Sequence, residues 1–152
     1  ILFQAAAQSG AILAQADRQI EEALSQFGMH LGTAFQLIDD VLDYDGNSKS
    51  LGKNIGDDLT EGKPTLPLLY AMKESNKTGA DLIRACLQDE SVAQTSLAEV
   101  IEIVRASGAL DYTREKAQLQ SKSAQSCLNQ LPKSEYRQAL QVMLDFSTER
   151  NN

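Results

Sequence analysis

The sequence predicts an all-α protein, and three features predict it. Apolar residues recur at helical spacing along almost the entire chain, no alternating strand-like run of useful length appears, and the only prolines are Pro64, Pro67 and Pro132.

Taken in order, the periodicity places helices at about 1–15, 18–44, 65–75, 79–88, 91–106, 109–130 and 134–149. The first, ILFQAAAQSGAILAQ, begins without Met, without an N-cap residue and already in rhythm, as a chain cut inside a helix would. In the second, Ile20, Leu24, Phe27, Leu31, Phe35, Ile38 and Leu42 fall on one stripe at about 100° per residue. Asp45 to Pro64 is the one long irregular segment. It carries Gly46, Gly52, Gly56 and Gly62 with Lys49, Lys53 and Lys63, and a loop of that length is more often functional than merely connecting. Thr78 with Asp81, and Ser91 with Gln94, are capping-box-like pairs opening the next helices. Ser107-Gly108 is a C-cap. With no repeat, low-complexity tract or linker, residues 1–152 read as a single all-α domain.

Composition narrows the function classes. A chain of 152 residues with 42% hydrophobic content has the size and the apolar surface of one ordinary domain. A net charge of −7 and a pI near 4.7 argue against nucleic acid and anionic membrane surfaces as partners, because both select basic patches. Small phosphorylated ligands stay open if a metal mediates. Cys86 and Cys127 match no metal-ligand spacing and are too few for a disulfide framework, so they read as buried apolar residues of a protein in a reducing cytoplasm. No apolar run approaches the roughly 18 residues of a membrane span, and residues 1–15 lack the basic-then-apolar layout of a signal peptide, so a soluble protein is expected.

The chemistry concentrates in GTAFQLIDDVLDYDG, residues 32–46. Gln36, Asp39 and Asp43 share the side opposite the apolar stripe, with Asp40 at its margin. Carboxylates at i and i+4 repel by roughly 0.2–0.5 kcal/mol. A solvated face would normally relieve this by mixing charges, yet no Lys or Arg occurs from Gln19 to Ser48. The polar side instead carries Ser25, Gly28, Met29, Gly32, Thr33 and Gln36, mostly small groups that allow other helices to approach. Carboxylates withdrawn from bulk water raise one another's pKa unless a cation compensates. Hard oxygen ligands suit Mg²⁺, Mn²⁺ or Ca²⁺, and Mg²⁺ completes its shell with waters and phosphate oxygens. The reading is therefore a divalent cation plus a phosphorylated ligand, with Lys53 and Lys63 as charge partners.

Competing motifs fail on spacing. An EF-hand needs Gly sixth and Glu twelfth, whereas Gly46 stands fourth from Asp43 and Asn54 twelfth. Both candidate P-loops, GNSKSLGKN and GDDLTEGKP, have five residues between their glycines and lack Ser or Thr after Lys. His30, the only histidine, has Phe27 three residues before it, which rules out a Glu-x-x-His di-iron pair and leaves a packing or surface role.

GTAFQLIDDVLDYDG followed by LGKNIGDDLTEGKPTLPLL resembles the second aspartate-rich region of the trans-isoprenyl (polyprenyl) diphosphate synthase family, nearest its bacterial octaprenyl-type long-chain members. The match is dense over residues 1–72, on Gly32, Phe35, Gln36, Asp39, Asp40, Asp43, Gly52, Lys53, Asp57, Gly62, Lys63, Thr65, Leu66 and Pro67. The resemblance implies an all-α fold and Mg²⁺-dependent condensation of isopentenyl diphosphate with an allylic diphosphate, to make the long-chain polyprenyl diphosphate of a quinone side chain. Mn²⁺ is the alternative ion. Carried over by position, Asp39 is the main metal ligand, Asp40 and Asp43 bind metal directly or through water, Gln36 supports the allylic diphosphate, and Lys53 contacts diphosphate oxygens. The family's first Asp-rich motif, and the Lys-Thr pair that the family has just before the helix opening here with ILFQAAA, are absent from residues 1–152. The resemblance thus implies the C-terminal half of a homodimeric cytoplasmic enzyme, inactive alone. A non-catalytic helical subunit would show decayed Asp-rich residues, and a terpene cyclase an Asn/Ser/Glu-type motif; the intact Asp-Asp-x-x-Asp favours elongation.

Overall fold

The computed structural model describes residues 1–45 and 55–148, and every secondary-structure element among them is helical. In chain order these are α1 (Leu2–Leu13), α2 (Arg18–Leu42), α3 (Asp57–Thr60), α4 (Leu66–Glu74), α5 (Lys77–Gln88), α6 (Glu90–Ala106), α7 (Ala109–Leu128) and α8 (Glu135–Thr148). They group into two compact units, residues 1–38 with 115–152, and residues 39–114.

In the first unit the small residues of α2 receive α1. A Cβ on Gly28 would come within 2.8 Å of the Gln4 main chain, so only glycine permits this approach. Gln4 Nε2 donates to Ser25 Oγ at 3.0 Å and Gln8 Nε2 to Glu21 Oε1 at 2.9 Å, satisfying polar groups that the contact removes from water. Asp17 accepts from the Ile20 N–H at 2.9 Å and so caps α2. Ala23, Phe27, Leu31, Ala124, Cys127, Leu128, Leu131 and Leu144 form the core, with Ile20 and Leu24 at its edge. The buried line of α2, which includes Ala34 and Ile38, is thus rotated from the expected stripe toward the alanines. Phe35 is half-buried, its ring 5.6 Å from that of Phe3. His30 fits the packing role, its Nδ1 lying 2.7 Å from Gln120 Oε1.

In the second unit, α3 and α4 lie against α5 and α6, around a core of Tyr44, Leu59, Leu68, Ala71, Ile83, Cys86, Ala93, Val100, Val104 and Ala109. The short helix α3 corrects the expectation of an irregular 45–64 segment; four residues carry too little periodicity to read. Both capping boxes are also corrected. Asn76 caps α5 by accepting from the Gly79 N–H at 2.9 Å, while Asp81 pairs with Arg84 at 2.5 Å. Asp89 caps α6 by accepting from the Ser91 N–H at 2.8 Å and its hydroxyl at 2.6 Å, while Gln94 donates to Glu90. Asn and Asp two residues upstream outcompete Thr78 and Ser91 for the same job, and the Ser91 hydroxyl holds the Asp89 carboxyl below its ordinary range. The end of α6 is as expected, with Ser107 at the cap and Gly108 at φ 75°. Cys86 and Cys127 are free and buried, and burial raises both thiols. Among the described residues no helix is long and apolar enough to cross a membrane.

Candidate functional site

The last turn of α2 carries the acidic residues into the second unit. Asp40 and Asp43 are 6% and 8% exposed, while Asp39 is half-buried. The order differs from the helical wheel, which put Asp40 at the margin: Val41 and Tyr44 beside it are fully buried core residues, and Asp40 is covered with them. Gln36, one turn earlier in α2, is exposed and belongs to the first unit.

The return of the chain closes over Asp43. Its carbonyl accepts the Gly56 N–H at 2.9 Å and its Oδ2 accepts the Asp58 N–H at 3.2 Å. Gly56 makes this possible, since it sits at φ 82° and any Cβ there would collide with Leu97. Burial, then the nearby charge of Asp58, raises the Asp43 carboxyl from its ordinary value to about 6, against the opposing hydrogen bond from the Asp58 N–H. A group in this position is costly to ionise unless a cation arrives.

Beside it, Tyr44 is wholly buried and its phenol is pushed up, first by burial and then by the Asp43 charge. The Tyr44 and Thr65 hydroxyls are near enough to influence one another, but neither has a well-formed hydrogen bond. Lys63 is exposed and pairs with Glu61 at 2.5 Å and Asp58 at 3.2 Å, which keep its ammonium protonated. Its charge therefore reaches the acidic cluster through Asp58. Lys53 lies outside the described residues.

Among the described residues no three acidic, His or Cys groups converge as a ready-made metal cage. Two buried hard-oxygen carboxylates nevertheless fit a Mg²⁺-type ion, which commonly takes one or two protein carboxylates and draws its remaining ligands from water and phosphate.

Two partners of this region left no local signal in the sequence. The Arg105 guanidinium reaches the Tyr44 carbonyl, with Nε and Nη2 at 3.2 and 3.1 Å, and Arg114 Nη2 reaches Asp45 Oδ2 at 2.6 Å. They come from 61 and 69 residues away in the chain.

An all-helical chain with a buried Asp-x-x-Asp at a helix end, backed by a lysine-bearing return, is the class of protein these observations define. The chain belongs to the polyprenyl synthetase family, whose family model matches residues 1–104. Octaprenyl diphosphate synthase of Haemophilus influenzae is 45% identical over 150 residues, which cover 99% of this chain and 45% of that protein. The all-trans-nonaprenyl-diphosphate synthase (geranyl-diphosphate specific) of Rhodobacter capsulatus is 46% identical over 149 residues, covering 98% of this chain and 45% of that protein. A solved polyprenyl synthase from Caulobacter crescentus, complexed with calcium and isoprenyl diphosphate, superposes with a TM-score of 0.87 at 39% identity, over 99% of this chain and 46% of that one. The chain thus spans a little under half the length of the relatives it matches.

Proposed function

We propose that this chain provides one half of the metal and diphosphate site of a long-chain polyprenyl diphosphate synthase. Asp39, Asp40 and Asp43 would hold Mg²⁺, with Mn²⁺ as substitute, and Gln36, Lys53 and Lys63 would hold diphosphate oxygens. The observation that carries this reading is the buried Asp40–Asp43 pair, with Asp43 raised to about 6, at the end of α2. Such a pair favours a cation over protons at neutral pH. The calcium and isoprenyl diphosphate of the Caulobacter crescentus relative support the same assignment.

In the reaction, the allylic C–O bond breaks with its electron pair leaving on diphosphate, the isopentenyl double bond adds to the freed carbon, and a proton is then lost to restore a double bond. When bound, the divalent ion supplies the positive charge that the departing diphosphate requires. The protein's part is electrostatic and positional, so no side-chain nucleophile is needed. Asp40 is presented from the last turn of α2 and Asp43 from the turn that follows it, and the exposed Lys63 keeps its proton and offers a positive charge. The whole protein would act as a cytoplasmic homodimer, and the 152-residue chain alone would not elongate.

The test is a chimera in which the matched 150 residues of the Haemophilus influenzae synthase are replaced by this chain. Elongation of an allylic diphosphate by isopentenyl diphosphate in Mg²⁺ is expected, and its loss on Asp39→Ala. A folded chimera that is inactive in both Mg²⁺ and Mn²⁺, or one indifferent to Asp39→Ala, would overturn the proposal.

A further inference from the structure

Asp43, Tyr44 and Asp45, the three residues that directly follow α2, are each held by a different partner from later in the chain. Asp43 takes the Gly56 and Asp58 N–H groups at 2.9 and 3.2 Å. Tyr44 offers its carbonyl to the Arg105 fork at 3.2 and 3.1 Å, and Asp45 offers Oδ2 to Arg114 at 2.6 Å. The guanidiniums are themselves oriented from their own helices, Arg105 by Glu102 at 3.4 Å and Arg114 by Asp111 at 3.1 Å. The end of a helix leaves carbonyls unpaired and carries partial negative charge. Here that end also carries carboxylates, so it is the part of α2 most prone to fray. The Val41 carbonyl accepts from both the Tyr44 and the Asp45 N–H at 3.1 Å, so the regular i to i+4 ladder tightens and stops here.

We propose that Arg105, assisted by Arg114, is a positioning residue. By fixing the main chain at Tyr44 and Asp45 it fixes the direction in which the adjoining Asp43 carboxylate is presented. The inference rests on the reading that Asp39, Asp40 and Asp43 hold a divalent cation. A planar fork closing on one carbonyl oxygen suits this role better than a lysine would, because guanidinium holds two donors in fixed relation while ammonium offers a mobile point charge. Arg105 touches no reacting group. Its effect passes through the backbone.

The experiment is a Mn²⁺ titration of the 152-residue chain with inorganic pyrophosphate present, followed by paramagnetic broadening of the amide signals of residues 39–45 and 55–60. Wild type should broaden at these signals first. Arg105→Ala should raise the midpoint about five- to tenfold with helix content unchanged, Arg105→Lys about two- to threefold, and Arg114→Gln about threefold. An Arg105→Ala midpoint equal to that of wild type would overturn the inference. If Arg105→Ala loses helix content, Arg105→Lys and Arg114→Gln decide, and wild-type midpoints in both would overturn it. Asp43→Ala separates the two readings. Weakened binding there beside unchanged binding in the arginine variants sinks the positioning role alone; unchanged binding in Asp43→Ala, or no localised broadening in wild type, removes the cation reading and the positioning role with it.

Discussion

Along α2, the stretch up to Ile38 and the stretch after it are held by different forces. The earlier part is fastened chiefly by shape, with Gly28 against the Gln4 main chain and Phe27 and Leu31 in the core, and its polar contacts such as Gln4 to Ser25 lie at the margin of that packing. The later part is fastened by directed polar contacts, two main-chain N–H groups and two guanidiniums on three consecutive residues. Apolar packing tolerates modest repacking but sets a side chain's aim loosely. Hydrogen bonds fix direction, and they allow carboxylates to stay buried where packing alone would exclude them. One helix thus combines a stable stem with a costly, accurately held tip.

Several substitutions would break or sharpen this contrast. The largest effect belongs to the tip. Asp39→Ala in the chimera should lower elongation kcat/KM by about three orders of magnitude, in keeping with loss of a principal electrostatic contribution, while circular dichroism shows unchanged helix content. Next comes the stem. Gly28→Ala should destabilise by about 2–3 kcal/mol by forcing α1 off α2, measured by urea unfolding, with Mn²⁺ broadening at residues 39–45 retained in the folded fraction.

A smaller change should come from Asp43→Asn in EDTA. The folded Asp43 carboxyl keeps its proton to about 6 and an unfolded one releases it near 3.8, so the folded chain binds more protons between those values. Metal-free wild type should therefore lose stability as pH rises through that window. The Asn variant should lack this slope and be about 2 kcal/mol more stable at pH 7, at the expense of cation binding. Equal pH profiles for the two would remove the burial argument. Smallest of all is Tyr44→Phe. Its hydroxyl is buried without a formed hydrogen bond, so removal should change stability by no more than about 0.5 kcal/mol, or raise it slightly, read from the thermal midpoint.

Much of the stem was legible in the sequence. Helical periodicity located α2, and Ser25, Gly28 and Gly32 announced a close neighbour, because small side chains on a polar face have few other uses. Caps were less legible: Asn76 and Asp89 displaced Thr78 and Ser91, since several cap-forming residues stood within two positions and local pattern could not rank them. At the tip, the gathering of Asp39, Asp40 and Asp43 without basic neighbours was visible, and so was the hard-cation chemistry it suggests. The Arg105 and Arg114 contacts were not, because each is a residue with an ordinary i,i+3 acidic partner on its own helix. Nor was the Tyr70–Tyr112 stack, with ring centroids 4.2 Å apart, which joins residues forty-two positions apart.

By itself, then, the sequence determined what is written in local period and composition: an all-helical chain, an acidic helix end with a lysine-bearing return, and membership of a family readable in the same residues. Only the tertiary structure decided how deeply each carboxylate is buried, that Asp40 outranks Asp39 in this respect, and which arginines secure the tip. The physical reason is one of range. Helix formation is settled by neighbours within a turn or two, whereas the burial and orientation of a charge depend on groups that folding brings from distant parts of the chain.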